Sequence, residues 1–248
     1  MRVIIVAAGS STRLGHITKN IPKGLLEVNG KSIIGRQVEL YKNNGLTDIV
    51  IITGPHKEKF DFNNVAYIAD ENHEKHDVLG SMMVAKNYMN TDVLISYSDI
   101  LFDDSILKQM LEFNDDIGIG VDMNWLQVYK NRTQHPITDA DNVLINNGVV
   151  VKTRKNISEC DKNILGEFIG LIRLSANGAK MFVKLHKKLE KNHKGKFHES
   201  VSYEKAVPTD MFQELINSGI IVKPIIVSGK WREIDTPQDL ERARKMFF

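Results

Sequence analysis

Four short apolar runs, Val3 to Ala8, Asp48 to Thr53, Val65 to Ala69 and Asp92 to Tyr97, are separated by segments long enough to form helices. Runs of this length read as buried strands. Strands that alternate with helix-length stretches imply a parallel sheet covered by helices on both faces. Helices are expected over Ser32 to Asn44, which carries Ile33, Ile34, Val38, Leu40 and Tyr41 and is stopped by Gly45, and over Ser81 to Asn90. After Asp104 the alternation loosens. Strand-like stretches lie at Ile117 to Met123, Val143 to Lys152 and Gly166 to Leu174, helices at Ala176 to about Glu190 and at Pro208 to Ser218, and a late strand at Ile220 to Val227. The expected fold class is α/β, Rossmann-like, with a mixed, mainly parallel sheet flanked by helices. It reads as a single domain over 1–248 whose two halves, 1–104 and 105–248, share one sheet.

Composition narrows what such a chain can do. With 248 residues, 42% hydrophobic and 26% charged, it is an ordinary soluble globular chain able to bury a full core. A formal net charge of +2 is too small to argue for a nucleic-acid or membrane surface, so any phosphate site must be local. Cys160 is the only cysteine, which leaves no intrachain disulfide and no thiolate metal cluster and fits a reducing cytoplasm. No apolar run approaches the roughly 20 residues that span a bilayer, and the N-terminal apolar segment reads as a core strand rather than a signal peptide. The expected setting is cytoplasmic, with no nucleic-acid or membrane partner. Homodimerisation is left open.

The first strand runs into Ala7, Ala8, Gly9, Ser10, Ser11, Thr12, Arg13 and Leu14. This is not a P-loop, since Gly9 and Gly15 are five residues apart and His16 follows, and it lacks the Gly-x-Gly-x-x-Gly dinucleotide pattern. What remains is a turn rich in backbone N–H groups and hydroxyls, with one guanidinium able to bind two oxygens at once. Such a turn suits a polyphosphate, and by itself it is equally a solvated turn. Ten residues on, Pro22 fixes the backbone before Lys23, and Leu25 to Val28 returns the chain to the core before an Asn29-Gly30 turn. Two carboxylates complete the set. Asp99 lies just past the end of an apolar strand, where open α/β sheets bind ligands. Asp235 precedes Thr236 and Pro237, a helix start with Thr as N-cap and Pro in the first turn. Singly, each is a turn or cap residue. Together they supply the oxygen ligands that Mg2+ prefers.

The sequence AAG, a small-residue pair, TRL and then PK resembles the N-terminal signature of nucleotidyltransferases that activate sugar phosphates and phosphoalcohols, which have a GT-A-like fold. In those enzymes an Asp after the fourth or fifth strand and another in a late E-I-D segment hold the metal, positions matched by Asp99 and by Glu233-Ile234-Asp235. The segments HDVLGSMMVAKN, VDMNWLQVYKNRTQHPITDAD and GEFIGLIRLSANGAKMF look like cytidylyltransferase modules associated with phosphonate biosynthesis, and more distantly like bacterial phosphocholine cytidylyltransferases. The resemblance covers nearly the whole chain, most strongly up to Asp104 and from Glu167 to Leu240. It implies a nucleotide-binding first half, with Ala7 to Arg13 on the phosphates, Leu79, Gly80 and Ser81 around base and ribose, and Lys23 and Arg13 as catalytic cations. Ser10-Ser11 replaces the Gly-containing pair common in sugar enzymes, so base preference stays open.

An acceptor-binding second half would draw on five residues. Trp125 offers an aromatic face to an ammonium group, Lys130 and Arg132 can pair with a phosphonate or phosphate dianion, and Glu167 and Asp210 can bind an amine. The competing reading makes Trp125 core, the cations solvated and Asp210 a first-turn helix acid. The stretch KLHKKLEKNHKGKFHE fits no metal motif. The function implied is CTP-dependent joining of CMP to a small phosphonate of the 2-aminoethylphosphonate or 2-hydroxyethylphosphonate type, with Mg2+ as cofactor and pyrophosphate released. Its alternatives are phosphocholine or another phosphoalcohol as acceptor, and a sugar 1-phosphate enzyme using UTP or dTTP. A non-catalytic nucleotide-binding regulator is disfavoured by the co-occurrence of Arg13, Lys23, Asp99 and Asp235.

Overall fold

The computed structural model describes residues 1–9, 12–157 and 164–248, so Ser10, Ser11 and Cys160 lie outside the described residues. The first half contains β1 (Arg2–Ala7), a small ribbon of β2 (Glu27–Val28) and β3 (Lys31–Ser32), α1 (Ile33–Asn43), β4 (Ile49–Thr53), β5 (Ala66–Ala69), α2 (Val78–Met83), β6 (Val93–Tyr97), β7 (Ile100–Phe102) and α3 (Asp104–Leu111). The second half contains β8 (Ile117–Asp122), α4 (Trp125–Tyr129), β9 (Asp141–Asn146), β10 (Val149–Lys155), β11 (Leu165–Leu174), α5 (Ala176–Asn192), α6 (Pro208–Asn217), β12 (Lys223–Ile226), β13 (Trp231–Glu233) and α7 (Pro237–Met246).

Among the described residues the main sheet runs β10-β9-β11-β6-β1-β4-β5, with β8 and β12 continuing from β11. Strands of the first half pair in parallel, β6 with β1, β1 with β4 and β4 with β5. The second half is mostly antiparallel: β11 pairs with β6, β8 and β9, and only β12 on β8 is parallel. The period-two alternation of a strand divides β1 between two cores. Ile4 and Val6 belong to the core that holds Phe182 of α5 and Phe212 of α6, whereas Val3 and Ile5 belong to the one that holds Ile34 and Tyr41 of α1. A third, smaller core of Leu14, Leu26, Val28, Ile33, Leu101, Ile234 and Leu240 ties the loop after β1, the ribbon and α7 together.

Local chemistry explains most boundaries and two of the four departures from expectation. Ser32 Oγ caps α1 by accepting from Gly35 N–H, and Gly45 follows at φ +77°. The stretch expected as one strand over Val143 to Lys152 is a hairpin. Asn147 and Gly148 turn it with both φ values positive, the two-residue turn that matches strand twist. The helix expected over Ser81 to Asn90 starts earlier, at Val78, because Asp77 caps it; it gives way after Met83, and a separate 3-10 turn covers Lys86–Tyr88. The last strand is confined to Lys223–Ile226. A further antiparallel pair, β13 with β7, had no counterpart in the sequence reading.

Candidate active site

A cleft of about 710 Å³ opens at the carboxyl ends of β1 and β6. Residues Val6 to Gly9 form one lip, and Tyr97 to Asp99 form the adjacent one. The β7–β13 ribbon closes the site: Glu233 registers with Ile100, and Ile234 N–H donates to Asp99 O at 2.9 Å. Asp235, the next residue, thereby arrives beside Asp99. Between the two carboxylates stands Lys23, whose Nζ lies 2.8 Å from Asp99 Oδ2 and also contacts Asp235 Oδ1. Arg13 Nη2 is 2.7 Å from Asp235 Oδ2, and His135 Nδ1 is 3.2 Å from the same oxygen.

Buried polar groups hold both acids in place. Gln37 of α1, 1% exposed, donates through Nε2 to the carbonyls of Tyr97 and Ile100, on either side of Asp99. Asp239, the N3 acid of a capping box on α7, accepts from Asp235 N–H, Thr236 N–H and Thr236 Oγ. Arg132 in turn donates Nε and Nη2 to Asp239 and Nη2 to Glu233.

The charge balance is strongly perturbed. Burial disfavours the Lys23 ammonium, but the charges of Asp99, Asp235 and Glu233 outweigh that and hold its pKa above the usual lysine value. Asp235 is also buried, yet its hydrogen bond with His135 and the charge of Lys23 hold its carboxyl below the usual range. Glu233 goes the other way. Burial and the charges of Asp235 and Asp99 push it up to about 7. The donor set fits a hard divalent cation. Asp99 Oδ1 is buried without a hydrogen-bond partner among the described residues, and Glu233, Asp235 and His135 present ligand atoms within 4.8 Å of one another.

The cleft gathers Ala7, Ala8, Gly9, Arg13, Lys23, Ser81, Asp99 and Asp235. Thr12 opens the 3-10 turn Thr12–Thr18 beside it. Several other expectations are corrected. Leu79 is a core residue, 1% exposed, and Gly80 abuts the His76 ring, where a Cβ would come within 2.4 Å. Trp125 is buried, donating its indole N–H to Leu165 O. Arg132 is enclosed by its two acids. Glu167 is buried and accepts from the Tyr129 hydroxyl at 2.7 Å, and burial, above all, raises its pKa well above the usual carboxylate value. Asp210 caps α6, accepting from Val207 N–H, Glu199 N–H and Ser200 Oγ. Lys130 is exposed on a separate depression with Leu126 and Ile137. None of these is among the residues lining the cleft: Trp125, Arg132, Glu167 and Asp210 are each held by a local or interior partner, Leu79 and Gly80 are packed away, and Lys130 lies elsewhere on the surface.

Sequence reasoning also missed residues that do line it. His76, which bonds Asp70 Oδ2 at 2.7 Å, stands beside Ser81, which donates to the same oxygen at 2.8 Å. Tyr97, Asp139 and Asp141 line the cleft as well. The alternation Asp139-Ala140-Asp141 ahead of an apolar strand was the available signal, since i and i+2 share a face in extended chain.

Residues 3–137 match the MobA-like NTP transferase domain family. The chain is 26% identical over 254 residues to the CTP:phosphoglutamine cytidylyltransferase of Campylobacter jejuni, covering 97% of this chain and 98% of that protein. It is 35% identical over 106 residues to the choline-phosphate cytidylyltransferase of Streptococcus pneumoniae, covering 41% of this chain and 46% of that one. The solved inositol-1-phosphate CTP transferase from T. maritima superposes with a TM-score of 0.75 at 21% identity, over 99% of this chain and 94% of that chain. That likeness is one of fold, the GT-A-like fold of nucleotidyltransferases.

Proposed function

The chain belongs to the MobA-like NTP transferase domain family, and from that premise we propose that it is a CTP-dependent cytidylyltransferase, joining CMP to a small phosphonate or phosphate monoester and releasing pyrophosphate. The names of these three relatives, each a cytidylyl or CTP transfer to a phosphorylated small molecule, support the nucleotide and the reaction class. The observation that carries the reading is the Lys23 ammonium held between Asp99 and Asp235, with Arg13 on the same Asp235, at the mouth of a strand-end cleft. Cations and carboxylates so interleaved suit the meeting of two phosphate-type anions, which would otherwise repel strongly in a partly dry site.

In this reading an anionic phosphonate or phosphate oxygen attacks the α-phosphorus of CTP in line. The new P–O bond forms as the bond to pyrophosphate breaks. The attacking oxygen carries no proton at neutral pH, so no general base is needed, and rate comes from positioning and charge neutralisation. Lys23 draws the two anions together. Arg13 and the Ala7 to Gly9 backbone hold the departing pyrophosphate, and Ser81 lies toward the nucleoside. Asp99 and Asp235, with Glu233 beside them, are the residues that would hold a Mg2+ ion, which when bound neutralises charge shared by the reacting phosphates. The half up to residue 104 would thus serve the nucleotide and the later half the acceptor, in the cytoplasm where CTP is made.

The test is a pyrophosphate-release screen of CTP, UTP, dTTP and ATP against 2-aminoethylphosphonate, 2-hydroxyethylphosphonate, phosphocholine and glucose 1-phosphate. Release with CTP and a small phosphonate or phosphoalcohol is expected. Turnover confined to glucose 1-phosphate with UTP or dTTP would overturn it.

A further inference from the structure

Asp141 opens β9 on the cleft wall, and Asp139 lines the same wall two residues earlier. Asp139 is engaged by Arg13 at 3.7 Å. Asp141 is different: its Oδ1 is buried and has no hydrogen-bond partner among the described residues. Lys155 faces it across the β9–β10 ladder but is exposed, and no ion pair joins them within 4 Å. A buried carboxylate oxygen left without a donor is costly and calls for an explanation, and on a cleft wall a bound ligand can supply the donor. Burial first, then the opposing charges of Lys155, Asp210, Asp139 and His135, leaves the Asp141 carboxyl pushed up to about 6.

Tyr97 lies on the same cleft, at the end of β6. Its ring is fixed edge-on to Phe168, with centroids 5.8 Å apart, and rests where Gly170, at φ +79°, has no side chain; a Cβ there would come within 3.0 Å of the ring. An aromatic ring and a carboxylate oxygen without a donor, both lining one cleft, are what a cationic nitrogen needs.

We infer that Asp141 and the Tyr97 ring seat a positively charged nitrogen of the acceptor, so that the substrate is a small molecule carrying both an anionic phosphorus group and an ammonium group. The inference rests on the cytidylyltransferase reading and names its acceptor class. It replaces the buried Trp125, Glu167 and Asp210 with residues that line the cleft.

The experiment compares 2-aminoethylphosphonate with 2-hydroxyethylphosphonate, by calorimetric affinity and by kcat/KM with CTP, in wild type, Asp141→Asn, Tyr97→Leu and Tyr97→Phe, across a Mg2+ titration. Wild type is expected to favour the amine at least tenfold, by both readouts. Asp141→Asn should reduce that ratio about tenfold and Tyr97→Leu by several-fold, with Tyr97→Phe close to wild type because the ring is retained. A wild-type ratio near one overturns the inference. So does a ratio untouched by Asp141→Asn, or a loss confined to Mg2+ affinity. Should Asp141→Asn fail to fold, the Tyr97 pair decides in the same way. An amine preference in binding with no pyrophosphate release from CTP would sink the cytidylyltransferase reading and leave the cation seat standing.

Discussion

At Lys23 a single ammonium answers two carboxylates directly and a third, Glu233, through space. The ammonium stands where charge would shift between the reacting phosphates, so its contribution should be greatest in the transition state. Lys23→Ala is therefore expected to lower kcat by at least about a hundredfold while moving the KM for CTP far less. Steady-state kinetics at saturating acceptor measures the split, and unchanged kcat with a raised KM would reduce Lys23 to uniform binding. The two acids carry a companion expectation. Asp99→Asn leaves Lys23 its contact with Asp235, so the fold should hold, while turnover falls at least about a hundredfold through loss of an oxygen ligand at a charged transition state. Near wild-type rates at limiting Mg2+ would remove Asp99 from the metal site. Lys23, Arg13, Asp99 and Asp235 were all legible in the sequence, because each sits at a local landmark: a strand end, a Pro-fixed turn, a helix cap.

Among the elements, α7 and the β7–β13 ribbon decide where Asp235 points. Arg132 was expected on an acceptor dianion, since a cation in a loop near an aromatic segment reads as an anion ligand. Asp239 lies 107 positions away in sequence, and only the fold delivers it as the partner. With Asp239 fully buried, Arg132→Met would leave a carboxylate unpaired in the interior. The expected cost is about 3–5 kcal/mol of stability, read as a lower urea midpoint. An unchanged midpoint with weaker acceptor binding would restore the original assignment. Gln37 is the matching device on α1. Gln37→Leu keeps the volume but leaves the carbonyls of Tyr97 and Ile100 without their donor, so kcat should fall with little change in CTP affinity. Equal losses in both would mean that α1 has shifted as a whole.

Across the whole molecule, one group on the face opposite α1 makes stability fall toward mild acid. His186 of α5 is buried, pairs through Nδ1 with the Tyr203 hydroxyl at 2.6 Å, and is held by burial at about 4, below the ordinary 6.5. The unfolded chain takes up this proton at higher pH than the fold does, so the contribution is fully present above 6.5 and is lost as pH falls through 4. The raised carboxyls of Glu233 and Asp141 act in the opposite sense as pH falls, so the readout is the difference between the two proteins: between pH 6.5 and 4 His186→Phe should lose less unfolding free energy than wild type, or gain more. Parallel wild-type and variant curves would show that other groups govern it. What the sequence determined by itself was most of the long elements and the strand-end loops, since apolar periodicity, caps and turn residues act over a few neighbours. The Asn147-Gly148 hairpin belonged to that legible set and was read through as one strand. The tertiary structure alone decided which polar residues are spent on the interior and which face the cleft. Trp125, Arg132, Glu167 and Asp210 look like ligands until Leu165, Asp239, Tyr129 and the Val207 N–H are packed against them, whereas Asp141 gains its meaning from lacking such a partner. The reason is physical: the cost of burying a charge depends on whether a countercharge arrives, and strand pairing such as β7 with β13 brings that partner from a distant part of the chain.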